Sequence, residues 1–153
     1  MTQIPRVAIL APLLVGGLAF FFTIVIHGLA VLATSYFVRR EARLGREGVS
    51  FWTDFAIVVQ VISFALLAHL IEIALWAVLF VICGEFKEFG IAYYHSAVNY
   101  TTLGYGDLIM TPAWRLLGPL EAAGGTLMFG VSTAMVFAVV LRLIQARFVD
   151  LNH

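Results

Sequence analysis

The run Phe89-Gly90-Ile91-Ala92-Tyr93-Tyr94-His95-Ser96-Ala97-Val98-Asn99-Tyr100-Thr101, followed at once by Thr102-Leu103-Gly104-Tyr105-Gly106-Asp107, decides how this chain is read. Its first part is apolar and aromatic, yet roughly 13 residues at about 1.5 Å each reach only about 20 Å, short of the ~30 Å hydrocarbon layer of a bilayer. Gly104 and Gly106 then stop the helix, because glycine favours backbone conformations that a helix interior does not use. A half-length helix followed by an irregular return is expected to be a re-entrant loop. Irregular backbone is tolerated at membrane depth only where protein surrounds it or where it lines a wet pathway.

Working outward, the flanks supply the membrane. Of 153 residues, 62% are hydrophobic and 12% charged, and the mean hydropathy is +1.00, far from an average soluble domain. Three stretches are long and apolar enough to span: Val7–Val38, Phe51–Cys83 and Leu116–Leu141. The first exceeds the usual apolar length of a cleaved signal and is read as a retained helix. Arg39, Arg40, Arg43 and Arg46 cluster between spans one and two, and Arg142 and Arg147 follow span three; the other side carries Arg6, Lys87 and Arg115. The arginine-rich side is expected to be cytoplasmic, which puts the N-terminus and the Glu85–Arg115 segment outside and the C-terminus inside the cell (inner) membrane. The expected fold is all-α: three transmembrane helices plus a re-entrant pore helix and filter. Residues 1–50 form a first helix and arginine-rich loop, residues 51–148 a pore module and residues 149–153 a short tail. A net charge of zero argues against nucleic acid as a partner, since phosphate binding needs a basic surface. The single cysteine, Cys83, is expected to be a packed side chain without disulfide or metal-ligand spacing.

The loop suits the selection of an ion. Stripping water from a cation is costly, so a filter must return oxygens at matching distance, and backbone carbonyls do so without titratable charge. Carbonyls that point the same way need residues tolerant of left-handed dihedrals, and Gly104 and Gly106 accept them at little steric cost. Leu103 and Tyr105 are expected to turn outward and pack on the short helix, while the Thr102 hydroxyl adds an oxygen at the inner mouth. The carbonyl end of the short helix, with about half a negative elementary charge, favours a cation at mid-membrane. Asp107, Glu85 and Glu88 against Lys87 and Arg115 leave a slight, salt-screened excess of acid at the outer mouth.

Ser96-Ala97-Val98-Asn99-Tyr100-Thr101-Thr102-Leu103-Gly104-Tyr105-Gly106-Asp107 resembles the pore helix and filter of the tetrameric potassium-channel family. Trp114 and Arg115, then Gly125, then Phe129-Gly130 with Thr133-Ala134, continue the likeness into that family's inner helix, so that it covers about Ile71 to Leu143. More narrowly, the chain is similar to small bacterial "two-pore-domain-like" ion channel proteins with one pore loop per chain. The resemblance implies a homotetramer in the lipid bilayer and potassium ions held by the carbonyls of Thr102, Leu103, Gly104 and Tyr105. It also implies Gly125 as a gating hinge, with Gly130 a second candidate, and no cofactor beyond the permeant ion. Leu103 stands where the family usually has valine. His95 stands where many relatives have a tryptophan in the aromatic cuff, which leaves Tyr93, Tyr94 and Tyr100 for that role. The extra first span lies outside the likeness, and neither a voltage-sensing arginine repeat nor a soluble regulatory domain is expected.

In span three, Thr126, Phe129, Thr133, Phe137 and Leu141 recur every three or four residues and share a face. They are expected to line the pore, with Phe137 or Leu141 narrowing its inner end; the competing reading is helix packing aided by Gly125, Gly130 and Ala134. His69 and Glu72 lie one turn apart in span two and Glu121 lies early in span three, and intramembrane ionisable groups have partners. Their spacing is that of a di-iron Glu-x-x-His element reversed, but the expectation is a structural network of His69, Glu72, Arg115 and Glu121 bracing the pore, in which Glu72 or Glu121 pairs with Arg115 or with groups of the short helix. His27 is read as a helix-contact residue, and Asp54 and Gln60 as reaching interfacial water or a neighbouring helix. Two other classes fit less well. A potassium transporter subunit would need several such loops, and an enzyme would need a nucleophile–base or phosphate-binding motif that the sequence lacks. Leu103 keeps a non-selective monovalent cation channel as the alternative to a potassium channel.

Overall fold

The computed structural model describes residues 9–150, with side chains as far as Phe148. Arg6, the start of the span expected from Val7, and residues 151–153 of the expected tail lie outside the described residues. The described chain is all-helical: α1 (Leu10–Arg43), α2 (Phe51–Ile82), α3 (Phe89–Tyr100) and α4 (Leu117–Asp150). Three of the four, α1, α2 and α4, are long and apolar enough to cross a membrane, and this is a membrane protein.

Two helices outrun the expected spans. The segment expected as a loop from Arg39 is helical to Arg43, and α4 continues past Leu141 to Asp150. Arginine, glutamate and alanine are good helix formers, so the polar residues mark where the helix leaves the apolar layer and not where it ends. At the start of α2, Ser50 has an extended backbone and its Oγ accepts from the Thr53 amide at 3.3 Å, a cap worth about 1 kcal/mol.

Helices α1 and α3 both pack on the α2–α4 pair, and the interior is stacked in three layers. At the loop end, Trp76, Phe80, Ala92, Met110 and Leu117 form an apolar cluster with Ala19, and Cys83 packs at its edge. At the arginine-rich end, Val38, Ile57, Val61, Val139 and Leu143 form another. Between them lies a buried polar layer. Close approach of α1 to α4 depends on two glycines: a Cβ on Gly16 would meet Leu120 Cδ1 at 2.7 Å, and one on Gly124 would meet the Phe20 ring at 3.0 Å. Small residues let membrane helices approach in this way. Trp76 Nε1 donates to Thr23 Oγ1 at 3.1 Å, joining α2 to α1.

At the arginine-rich end the α1–α2 loop and the first turn of α2 are fastened to α4. Arg147 Nη2 donates to Asp54 Oδ2 at 2.6 Å and Arg142 Nε to Glu47 Oε2 at 3.0 Å. The other Asp54 oxygen accepts from the Gly48 amide at 3.0 Å, and a Cβ at Gly48 would press on the Arg147 amide nitrogen at 3.1 Å. Asp54 therefore reaches a neighbouring helix, as one of its two expected settings required.

Candidate functional site

The site begins where α3 ends. Leucine, tyrosine and threonine have no bias toward left-handed backbone, yet φ is +60° at Thr102, +60° at Gly104 and +72° at Gly106. Leu103 and Tyr105 between them do not share that sign. The sign of φ thus alternates from Thr102 to Gly106. Thr102 stands in the position that closes a helix: its amide donates to Asn99 O at 2.8 Å, and the Leu103 amide to Val98 O at 3.0 Å. These are the paired bonds of a Schellman motif. The same pair of bonds closes α1 with Gly45 and α2 with Gly84, both at positive φ. Of these three helices, α3 alone uses a β-branched residue there, where αL costs on the order of 1–2 kcal/mol.

The amide of Gly104 also turns back to Val98 O, at 3.2 Å. The N–H groups of residues 102–104 are thus spent on the helix end. Among the described residues no hydrogen bond ends on a carbonyl of Thr102, Leu103, Gly104, Tyr105 or Gly106. Their side chains differ from expectation: Leu103 is 55% and Tyr105 66% exposed, so the packing on α3 is not made within the chain.

Two contacts hold the segment in place. Tyr94 of α3 donates to Asp107 Oδ2 at 2.8 Å, and this hydrogen bond holds the phenol above the ordinary tyrosine range. Glu85 accepts from the Thr111 amide at 2.7 Å and its hydroxyl at 2.6 Å, tying the return segment to the end of α2. Of the three tyrosines expected in the cuff, only Tyr94 reaches residues 102–107. Tyr93 donates to Leu70 O at 3.4 Å and Tyr100 is buried in the polar layer. His95 lies against Phe86 and Phe80, with Asn99 Nδ2 donating to its Nε2 at 2.9 Å.

On α4, Thr126, Thr133, Phe137 and Leu141 are exposed in the chain, Thr133 and Phe137 along a groove shared with Ile62, Leu66 and His69 of α2. Both threonines donate to the carbonyl one turn back. Phe129, also exposed, meets the His69 ring at a tilt, 4.4 Å between ring centroids. Gly125 is in contact rather than free: a Cβ there would stand 2.2 Å from Tyr100 O, the end of α3. Around Gly130 nothing would lie within 4 Å of an added Cβ.

The expected network of His69, Glu72, Arg115 and Glu121 divides. Arg115 takes no part; its Nε donates to Met110 O at 3.3 Å, because the turns that precede α4 fold the guanidinium back on their own loop. Glu121, fully buried, pairs with Ser96, which also reaches Ile73 O at 2.8 Å. One serine proton cannot serve both; the count closes if Glu121 carries a proton and donates to Ser96 Oγ. His69 and Glu72 meet Tyr100 of α3, and they are joined by His27 of α1, a helix-contact residue as expected but not foreseen in this network, and by Ser132 of α4, which sequence reasoning missed. His27 Nδ1 lies 2.9 Å from Glu72 Oε1, and Ser132 Oγ lies 3.1 Å from the Nε2 of both histidines. The one signal in the sequence was that His27, His69 and Ser132 each fall near mid-depth of a span.

The segment Thr102–Gly106, its carbonyls without partners among the described residues, thus lies between the half-length helix α3 and the long helix α4. A family model described as "Ion channel" matches residues 66–142, from the middle of α2 through α3 and the return segment into α4, a little over half of the chain. Comparison with curated proteins and with solved structures gave no match. The chain therefore belongs to the ion channel family.

Proposed function

We propose that the chain is the subunit of a potassium-selective channel, with α3 as a re-entrant pore helix and Thr102–Asp107 as the filter, four copies surrounding one axis. The observation that carries this is the row of five successive carbonyls, Thr102 to Gly106, left without hydrogen-bond partners by an alternation of φ. At membrane depth such groups cost several kcal/mol each unless a cation or water replaces the missing partner. A ring of them from four chains returns to potassium the oxygens of its lost water shell, with Thr102, Leu103, Gly104 and Tyr105 coordinating. The exposed Leu103 and Tyr105 fit the same reading, since a neighbouring copy would cover them and set the pore diameter.

In this assembly residues 51–148 are the pore module, and residues 1–50 supply a helix outside it. Thr126 and Thr133 line the cavity, and Phe137 and Leu141 narrow the arginine-rich end, which faces the cytoplasm while the N-terminus lies outside. No step makes or breaks a covalent bond; ions move down their gradient. Purified chain in planar bilayers under opposed potassium and sodium gradients tests it. A reversal potential near the potassium equilibrium value is the expected result. A value indifferent to which cation is present would replace the reading with a non-selective cation channel, the outcome that the leucine at 103 makes worth testing. Migration of cross-linked chain as anything but a tetramer would reject the assembly.

A further inference from the structure

The polar layer is a closed loop of five hydrogen bonds contributed by all four helices. Starting from Glu72 of α2, Oε1 meets His27 Nδ1 of α1 at 2.9 Å, and His27 Nε2 meets Ser132 Oγ of α4 at 3.1 Å. Ser132 Oγ meets His69 Nε2 of α2 at 3.1 Å, and His69 Nδ1 meets the Tyr100 hydroxyl of α3 at 2.9 Å. That hydroxyl closes the loop on Glu72 Oε2. All five side chains are buried, so water is not there to repair a bad contact.

Proton counting gives the loop an unusual property. Five contacts need five protons, one each. Ser132 and Tyr100 bring one apiece, and neutral His27 and His69 bring one apiece, which makes four. The fifth must sit on the Glu72 carboxyl or as the second proton of one imidazole. Either placement closes the loop with no net charge, the carboxyl placement in either sense and each imidazolium placement in one arrangement only, donating from both ring nitrogens toward the twice-accepting Glu72 carboxylate. Without it, two acceptors face each other at about 3 Å somewhere in the loop; with a sixth, two donors do. The other titratable group near this layer is Glu121 of α4, already engaged by Ser96. Next to His27, α1 offers only Thr23, bonded to Ala19 O and Trp76. His27, His69 and Glu72 also have ligand-type atoms within 4.8 Å of one another, but each of these atoms is already used in the loop, and a divalent ion would have to expel protons to enter.

We propose that this loop is a binding site for a single proton, and that its occupancy sets how firmly α1 is held against the α2–α4 unit. His27 is the one member from α1, so the two contacts it makes are the ones that α1 loses on loosening. The held arrangement binds the proton more tightly than the loosened one. Linkage therefore makes the proton favour the held state at low pH, and that advantage fades as pH rises through the loop's own titration. A buried acceptor–acceptor contact corresponds to roughly a tenfold shift in the held-to-loosened ratio.

Two variants separate this from a purely structural brace. Glu72→Gln keeps the shape but donates permanently through its amide nitrogen to His27 while its oxygen accepts from Tyr100, fixing the five-proton pattern at every pH. Ser132→Ala removes the bridge between the two Nε2 atoms, so the loop never closes. The unfolding temperature of the full chain in nanodiscs, followed across pH, is expected to fall by about 3 °C in a one-proton step for the wild type. Glu72→Gln should keep the low-pH value throughout and Ser132→Ala the high-pH value throughout. A wild type without a step, a step that survives in Glu72→Gln, or both variants fixed at the same end would overturn the proposal. So would a stoichiometric metal found by elemental analysis and lost in His27→Ala. Should Glu72→Gln not fold, the wild-type step and its loss in Ser132→Ala decide. Because α1 borders the conduction unit, potassium flux in liposomes rests on the proposed function as well: a thermal step without flux rejects that function alone, and flux without the step rejects the proton site alone.

Discussion

Replacing Gly125 by alanine should disable the pore through one methyl group. The added Cβ would stand 2.2 Å from Tyr100 O and 3.0 Å from its carbonyl carbon, whereas carbon and oxygen come no closer than about 3.3 Å even in favourable contacts. Roughly 1 Å must be found, and the obstacle is backbone at the last turn of α3, not the end of a flexible side chain. Two residues on, Thr102 begins the row of free carbonyls, so the displacement reaches it almost undiminished. Overpacking of this size costs typically 1–3 kcal/mol, and a shift of 1 Å is large compared with what separates a good from a poor coordination distance. Gly125→Ala is therefore expected to lower the unfolding temperature by about 3–6 °C and to reduce potassium flux into liposomes at least tenfold. Gly130→Ala, where an added Cβ has nothing within 4 Å, should leave both near wild type. If Gly125→Ala conducts normally with unchanged stability, the close contact between α3 and α4 does not position the carbonyls and the reasoning fails.

Thr102→Gly should stabilise the fold by about 0.5–1 kcal/mol, by relieving a β-branched residue at φ +60°, while weakening the preference for potassium over sodium; denaturation and bi-ionic reversal potentials read the two effects. A variant that is less stable and equally selective would contradict it. Tyr94→Phe removes the bond to Asp107 and should shorten single-channel openings. In the wild type the raised phenol stays protonated, so this contact is present below the ordinary tyrosine value and lost only as pH rises past the raised one, leaving conductance flat on its account from about pH 6 to about pH 9. Glu121→Gln, which can still donate to Ser96, should express and assemble near wild type, whereas Glu121→Leu should lower the unfolding temperature by a few degrees, about 1 kcal/mol, because Ser96 Oγ loses its donor while still bonded to Ile73 O.

The parts legible in the sequence were those written in backbone chemistry and in length. A run of about 13 apolar residues is too short to span in any surroundings, and Gly104 and Gly106 at alternate positions state their own dihedrals. Thr102 was legible as an oxygen donor but not as the αL residue that ends α3, because nothing local prefers that conformation to the right-handed one. Gly125 had two physical readings, freedom and close approach, and only the carbonyl opposite it distinguishes them. The polar loop was half legible: His69 and Glu72 share a helix, so their spacing shows, while His27 and Ser132 join them across 45 and 63 residues of chain. Arg115 was misplaced by charge logic, which knows which partners would suit it but not which way a turn points its side chain.

The fastening of the α1–α2 loop to α4 bears on how a pore of this design would move. With Arg147 on Asp54, Arg142 on Glu47 and no room for a side chain at Gly48, the last turns of α4 are moored rather than free-standing. Any outward swing there either drags the loop and both helices it joins, or parts two ion pairs that each contribute up to about 1 kcal/mol at such exposure. The first course makes the three long helices travel as one lever; the second makes the work of widening fall as electrolyte concentration rises.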